Sequence, residues 1–316
     1  MTMPTIHYSI HNLVEVVSGS MQRKQIAEKI AYWVVPPGVQ ELLRPYYQRF
    51  FFDPSDKSSK RLTFNGIKDL HKGKAALILG HGPSLNRIKG SLESYKNDPN
   101  FITISCNHWP KHLNMIPDYW VIANQQFTVA KHLDLFNYFD STLLYADSCD
   151  LTNKQWVKAH LKCDYLSYNE RHFRNLSCYI THPERLDPSS RHYSKRIPEC
   201  CKHIEKGRPT IQEYLQKISG YSEHYTYAGT VATHMIAFAM IMGCNPIYII
   251  GVDLDYSLGY ADGTQVRDEV YWHFDSAPAA FRILNETAKK MDISIININP
   301  DAKFQQFEIG ELARLS

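Results

Sequence analysis

From residue 74 to residue 147 the chain alternates short apolar runs with polar stretches of helical length, and each run ends on Gly, Asn or Asp: KAALILG, FITISCN, DYWVIAN and STLLYAD. Runs that are apolar at nearly every position, not at every second one, predict strands covered on both faces, as in a parallel sheet built from βα units. The signal returns towards the C-terminus. Thr230 to Met242 reads as an apolar helix stopped by Gly243, PIYIIGVDLD as a central strand, and ISIININP as a last strand. Ser276 is placed to cap a helix running through Met291. The predicted fold is α/β: a Rossmann-like, mostly parallel sheet flanked by helices. No repeat at the ~20–50-residue period of solenoids and propellers is present.

The pattern is different at the start and in the middle. Residues 1–60 carry helix-like spacing (Leu13, Val16, Val17, then Ile26, Ile30, Trp33), broken by Pro36-Pro37 and followed by RPYYQRFFF. They predict an N-terminal helical appendage, joined to a core domain of residues 61–316 through the polar linker DPSDKSSKR at 53–61. Residues 150–225 are rich in His, Tyr, Arg and Cys with weak periodicity, and read as an insertion or lid. The aromatic and basic VVPPGVQELLRPYYQRFFF suits a peripheral membrane surface, or packing onto the core or another subunit of a homo-oligomer. Packing is favoured, because aromatics are ordinary core and interface residues.

Composition narrows the class. With 316 residues, 44% apolar and 21% charged, the chain matches an ordinary globular protein able to bury a large core. A net charge of +3, dispersed along the sequence, gives no basis for a nucleic-acid partner. Seven cysteines, an odd number without a CxxC pair, fit reduced thiols better than disulfides or a zinc site. The N-terminus lacks the basic and apolar regions of a secretory signal, so a cytoplasmic location is expected. Val231 to Val252 is the most apolar stretch, but His234, Gly243, Asn245 and Pro246 interrupt it, which excludes a spanning helix there.

Candidate chemistry collects at the predicted strand ends. In LILGHGPSL, Gly80 and Gly82 permit close backbone approach and Pro83-Ser84 open a helix, a pattern that suits phosphate binding or simply a tight strand-to-helix turn. It is neither a P-loop nor a full GxGxxG, since Asn86 stands near the place of the third glycine. Asn107 and Asn124 end the next two strands, where carboxamides can meet a ribose or a base; singly, each is also an ordinary turn residue. Gly229-Thr230 open the apolar helix, and the strand after it ends in Asp253, with Tyr256 and Tyr260 beyond. Asp253 and Asp255 form a D-x-D that could hold a divalent metal, although hydrogen-bonded strand-end aspartates are the favoured reading. In YWHFDS, His273 has a suitable pKa for a general base, and Asp275 could orient it or replace it.

Taken together, GHGPSL, SCNHW, IAN, GTVATHMIAFAMIMGCNPIYIIGVDLDY and ISIININP resemble the core of the motility-associated factors of flagellin glycosylation and of the small bacterial sialyltransferases. The resemblance spans residues 74–300 apart from much of the middle. It implies a Rossmann-like nucleotide-sugar-binding catalytic domain, with a CMP-linked sialic or related nonulosonic acid as donor and a glycan or protein hydroxyl as acceptor. It places Gly80, His81, Gly82, Pro83, Ser84, Asn107, Asn124, Gly229, Thr230, Asp253, Tyr256 and Tyr260 around the nucleotide, with His81 where the family carries asparagine. His273 is then the catalytic base and Asp275 the reserve, and no cofactor is required. Archaeal pterin diphosphokinases resemble the GPSL and GVDL blocks as well, and there the Asp253/Asp255 pair would hold Mg2+ and ATP. A non-catalytic nucleotide-binding protein is the third reading, encouraged by the departures at His81 and Asp275.

Overall fold

A computed structural model describes residues 61–113, 115–123, 129, 132–146, 157–158, 160–168, 209–223, 230–255, 257, 259–265 and 277–312. Eight strands make one sheet: β1 Ala75–Leu79, β2 Phe101–Cys106, β3 Tyr119–Ile122, β4 Thr142–Ala146, β5 Tyr165–Tyr168, β6 Ile247–Ile250, β7 Ile295–Asn297 and β8 Glu308–Ile309. Their order is β5-β4-β3-β2-β1-β6-β7-β8, and every neighbouring pair is parallel. The α/β fold expected from the apolar runs is the fold observed. Leu77, Ile78 and Leu79 are fully buried because β1 is covered on both faces. Each such side chain contributes roughly 1.5–3 kcal/mol relative to exposure.

The helices are α1 Phe64–Ile67, α2 Leu92–Asn97, α3 Leu133–Tyr138, α4 Ile211–Ser219, α5 Ala232–Ile241 and α6 Ala277–Lys290. Every residue of α5 is buried, so its apolar character on all sides follows from its position against the sheet centre between α4 and α6. Its two polar side chains hydrogen-bond within the protein: Thr233 Oγ1 donates to Thr230 O at 2.9 Å, and His234 Nδ1 pairs with Tyr168 Oη at 2.9 Å. Gly243 (φ 77°) ends the helix at the predicted position. Helix α6 buries Ala277, Ala280, Phe281, Leu284 and Ala288, a spacing of three and four that faces one side to the core.

The segment 150–225, read as an insertion or lid, is described at 157–158, 160–168 and 209–223. It supplies β5, hydrogen-bonded to β4, and α4, which buries Ile211, Tyr214 and Leu215. Helix α4 begins with a capping box between Thr210 and Glu213, the TIQE signature in the sequence. Arg61, in the stretch read as linker, bridges in parallel to Tyr165 at the sheet edge. Residues 1–60 lie outside the described residues. Among the described residues, no helix is long and apolar enough to cross a membrane.

Candidate functional site

The order of the strands creates the site. Succession runs one way from β1 through β2 to β5 and the other way from β6 to β8, so the chain reverses between β1 and β6, the switch point beyond whose C-terminal ends open parallel sheets take their ligands. Gly80–Ser84 follow β1, Asn107 follows β2, Gly251–Asp255 follow β6, and Asn299 lies just past β7. The predicted strand-end residues that the structure describes are thereby brought to one end of the sheet.

Between β1 and β6 the turn is latched. Gly80 N–H donates to Ile250 O at 2.8 Å and Gly82 N–H to Gly251 O at 2.7 Å. A Cβ on Gly80 would sit 2.2 Å from Gly251 O, and one on Gly82 would sit 2.4 Å from Asp253 Oδ2. Both glycines are therefore required by the approach of β6 itself. Asp253, only 7% exposed, accepts from Ser84 N–H at 2.9 Å, from the Ser84 hydroxyl, and from Asn299 Nδ2 at 2.7 Å. The Ser84 oxygen in turn accepts from Gly251 N–H at 2.9 Å. A buried carboxylate needs such donors.

This latch uses the amides that the sequence pattern offered to a phosphate. Gly80, Gly82, Ser84 and Leu85 all donate within the protein, and Pro83 has no N–H. The tight-turn alternative accounts for these bonds. The aspartates of the D-x-D face separate partners: Asp255 accepts from the Ser257 amide and hydroxyl and lies 3.5 Å from Lys303 Nζ. The Ser257 hydroxyl bond is the main cause holding the Asp255 carboxyl below its ordinary range. Among the described residues, no group of three or more His, Cys, Asp or Glu side chains is arranged to hold a metal ion.

On the β2 side the arrangement is less closed. Asn107 adopts φ 40°, a left-handed conformation that asparagine tolerates better than most residues. Its carbonyl accepts from Trp120 Nε1 at 2.9 Å, while its side-chain Oδ1 is buried without a hydrogen-bond partner. The His81 ring packs against His112 with centroids 4.3 Å apart, and His112 lies 5.4 Å from the Tyr260 ring. Burial, then the neighbouring His112 and His108, hold His81 well below its ordinary pKa, so it is neutral at pH 7. Burial also raises Tyr260. The loop carrying Tyr260 is tied to the glycine turn, because Ala261 N–H donates to His81 O at 2.8 Å and Asn86 Nδ2 to Ala261 O at 3.0 Å.

Gly80, His81, Gly82, Pro83, Ser84, Asn107, Asp253 and Tyr260 thus lie together at one end of the sheet. Thr230 opens α5, where its hydroxyl accepts from Ala232 N–H at 3.3 Å. Asn124, Gly229, Tyr256, His273 and Asp275 lie outside the described residues. Sequence reasoning passed over Asn299, His112 and Asp262. The first two are isolated polar residues beyond strand ends, and Asp262 occupies a turn between Gly259 and Gly263, where an aspartate is unremarkable as sequence.

No protein-family model matches the chain, and no curated protein matches it. Among solved structures, the sialyltransferase CstII from Campylobacter jejuni in complex with cytidine-5'-monophosphate aligns at 18% identity, with 75% of this chain and 85% of that one covered and a TM-score of 0.38. The sialyltransferase CST-II in complex with a trisaccharide acceptor and CMP aligns at 17% identity over the same shares, with a TM-score of 0.37. These likenesses are too distant to transfer a role to any residue.

Proposed function

We propose that the chain is a glycosyltransferase that binds a CMP-activated nonulosonic acid beyond the C-terminal ends of β1 and β2, beside the switch point, and transfers the sugar to a glycan or protein hydroxyl. The observation that carries the reading is the buried, unpartnered Asn107 Oδ1 beside the switch point. Leaving a buried acceptor unpaired costs about 1–3 kcal/mol, a cost removed by a ligand that offers an N–H or O–H. The exocyclic amine of cytosine and the ribose hydroxyls are such donors. The sequence motifs around Gly80, Asn107 and Asp253 support the same class of ligand.

In this reading the acceptor oxygen attacks the anomeric carbon while the bond from that carbon to the phosphate oxygen breaks. His273 takes the acceptor proton, with Asp275 in reserve, and CMP leaves with the bonding pair. Tyr256 and Tyr260 donate to the departing phosphate. Asp253 acts indirectly, by fixing the glycine turn against β6.

A thermal-shift screen of CMP, CMP-sugars, UDP-sugars, GDP-sugars and ATP, each with and without Mg2+, tests the reading. A ligand at a hundred times its Kd adds roughly 2.7 kcal/mol of stability, so CMP and a CMP-sugar are expected to raise the Tm by several degrees. Stabilisation by ATP with Mg2+ alone would replace the reading with a diphosphokinase-like phosphotransferase. Binding of CMP with no transfer or hydrolysis across a donor panel would leave a non-catalytic nucleotide-binding protein. Turnover should fall sharply in His273→Ala without loss of folding, and unchanged turnover would remove His273 as base.

A further inference from the structure

His112 and Asp262 sit beside this site with no part in the reaction outlined above. His112 belongs to the segment after β2 and is 5% exposed. Its Nδ1 lies 3.4 Å from Asp262 Oδ2, an ion-pair distance, and its ring packs between those of His81 and Tyr260. Asp262 divides its two oxygens between elements: Oδ1 accepts from Thr264 N–H at 2.9 Å inside its own loop, and Oδ2 faces His112. The loop is internally folded, with Tyr260 N–H donating to Thr264 O and Gly263 N–H to Tyr260 O, each at 2.9 Å. A pull on Asp262 therefore moves Tyr260 with it.

We propose that His112 and Asp262 are positioning residues, a pair that clamps the loop 259–265 onto the C-terminal ends of β1 and β2 and so fixes Tyr260 and His81 beside the site. The pair is strongest with His112 protonated. The groups around His112 are His81 on the β1 turn, Cys106 and His108 at the end of β2, and Tyr260 and Asp262 on the loop. Cys106 is pushed up to about 12 by burial, and Tyr260 is also raised, so neither carries charge near neutrality. Among these groups Asp262 is the available anion; burial opposes its ionisation, but hydrogen bonds from Thr264 and the nearby His112 hold its carboxyl below the ordinary range. Asn107, with its buried unpaired Oδ1, begins the turn that leads to His112. The consequence for ligand binding rests on the nucleotide-site reading, whereas the clamp itself is a property of the free protein.

Amide hydrogen exchange on the ligand-free full chain tests the clamp, read at Ala261, whose N–H donates to His81 O. Asp262→Asn keeps an acceptor for Thr264 and removes the charge, so it leaves the fold in place. The Ala261 amide is expected to exchange about tenfold faster in Asp262→Asn than in the natural chain, the scale of a lost charge-assisted contact. Corrected for intrinsic rates, its protection in the natural chain should fall between about pH 6 and pH 8.5, as an ordinary imidazole loses its proton, and should be flat in the variant. Asp262→Glu should restore part of the protection. CMP affinity should fall in Asp262→Asn by a similar factor. Equal Ala261 exchange in the two proteins, or no recovery of protection in Asp262→Glu, would overturn the clamp; faster exchange with unchanged CMP affinity would overturn the positioning role. If the natural chain binds no CMP, the nucleotide reading fails, and the exchange result still decides the clamp.

Discussion

Replacing Gly82 with alanine places one methyl group where the latch between β1 and β6 has no room. The added Cβ would stand 2.4 Å from Asp253 Oδ2, 2.8 Å from its Cγ and 2.9 Å from Gly251 O. Neither obstacle yields easily: one is backbone, and the other is a carboxylate pinned by Ser84 and Asn299. Overpacking of this kind costs roughly 1–3 kcal/mol, and shifting the carboxylate off its donors adds about 1–2 more, for a total of roughly 2–5 kcal/mol. At about 2–4 °C per kcal/mol in a domain of this size, the Tm should drop by roughly 5–15 °C. Gly90→Ala is the control, because nothing lies within 4 Å of a Cβ there. That change should stay within about 0.5–1 kcal/mol of the natural chain. Urea denaturation of Gly82→Ala, Asp253→Ala and the double variant isolates the cause. With the carboxylate gone the alanine meets less, so the cost of Gly82→Ala should shrink by about 1–2 kcal/mol in the Asp253→Ala background. Additive effects, or a Gly82→Ala protein as stable as the natural one, would refute the steric account.

Further outcomes follow from other parts of the molecule. Because His81 titrates below its ordinary value of 6.5, the unfolded chain binds a proton that the folded chain refuses, so stability should rise with pH across the window below that value. His81→Asn should flatten part of this rise between about pH 5 and pH 7 in denaturation midpoints, leaving the part due to His71, which burial also lowers. Thr210→Ala removes the acceptor for Glu213 N–H at 3.1 Å and should cost about 1 kcal/mol by urea denaturation. Asn107→Asp suits the left-handed backbone and keeps an acceptor, but puts a negative charge near an anionic nucleotide; calorimetry should show CMP affinity lowered about tenfold or more with little change in Tm. Removal of residues 1–60, cut ahead of the Arg61 bridge to Tyr165, should reduce solubility and leave liposome co-sedimentation unchanged.

The sheet was legible wherever a strand is buried on both faces, since such strands need apolar residues at almost every position. AALIL, FITISC, YWVI, TLLYA and IYII carry that mark in the sequence. YLSY does not: it is short, half aromatic and includes a serine, so periodicity alone cannot separate it from the irregular sequence around it. Helix α4 could have been found, because Thr210 and Glu213 spell out its capping box. The glycine turn was visible as a turn, but its principal use was not. Spacing of the form GxG says that a backbone approaches closely, and it is silent on whether the approaching group is a ligand phosphate or the protein's own β6.

That ambiguity resolves into a division of the site. On the β6 and β7 side, Asp253, Ser84, Asn299 and the turn amides satisfy one another, so this wall is complete without a ligand and its mutation should appear first in stability. On the β2 side, Asn107 keeps a buried acceptor unpaired, and the tilted, contacting rings of His81, His112 and Tyr260 provide an aromatic surface beside it. An unpaired acceptor and flat rings suit the recognition of a base or sugar better than of a bare phosphate, whose binding needs donors. In the proposed reading, selectivity among nucleotides therefore belongs to the β2 wall and rigidity to the β6 wall. The contrast between Asn107→Asp, which should change affinity, and Gly82→Ala, which should change stability, measures that separation directly.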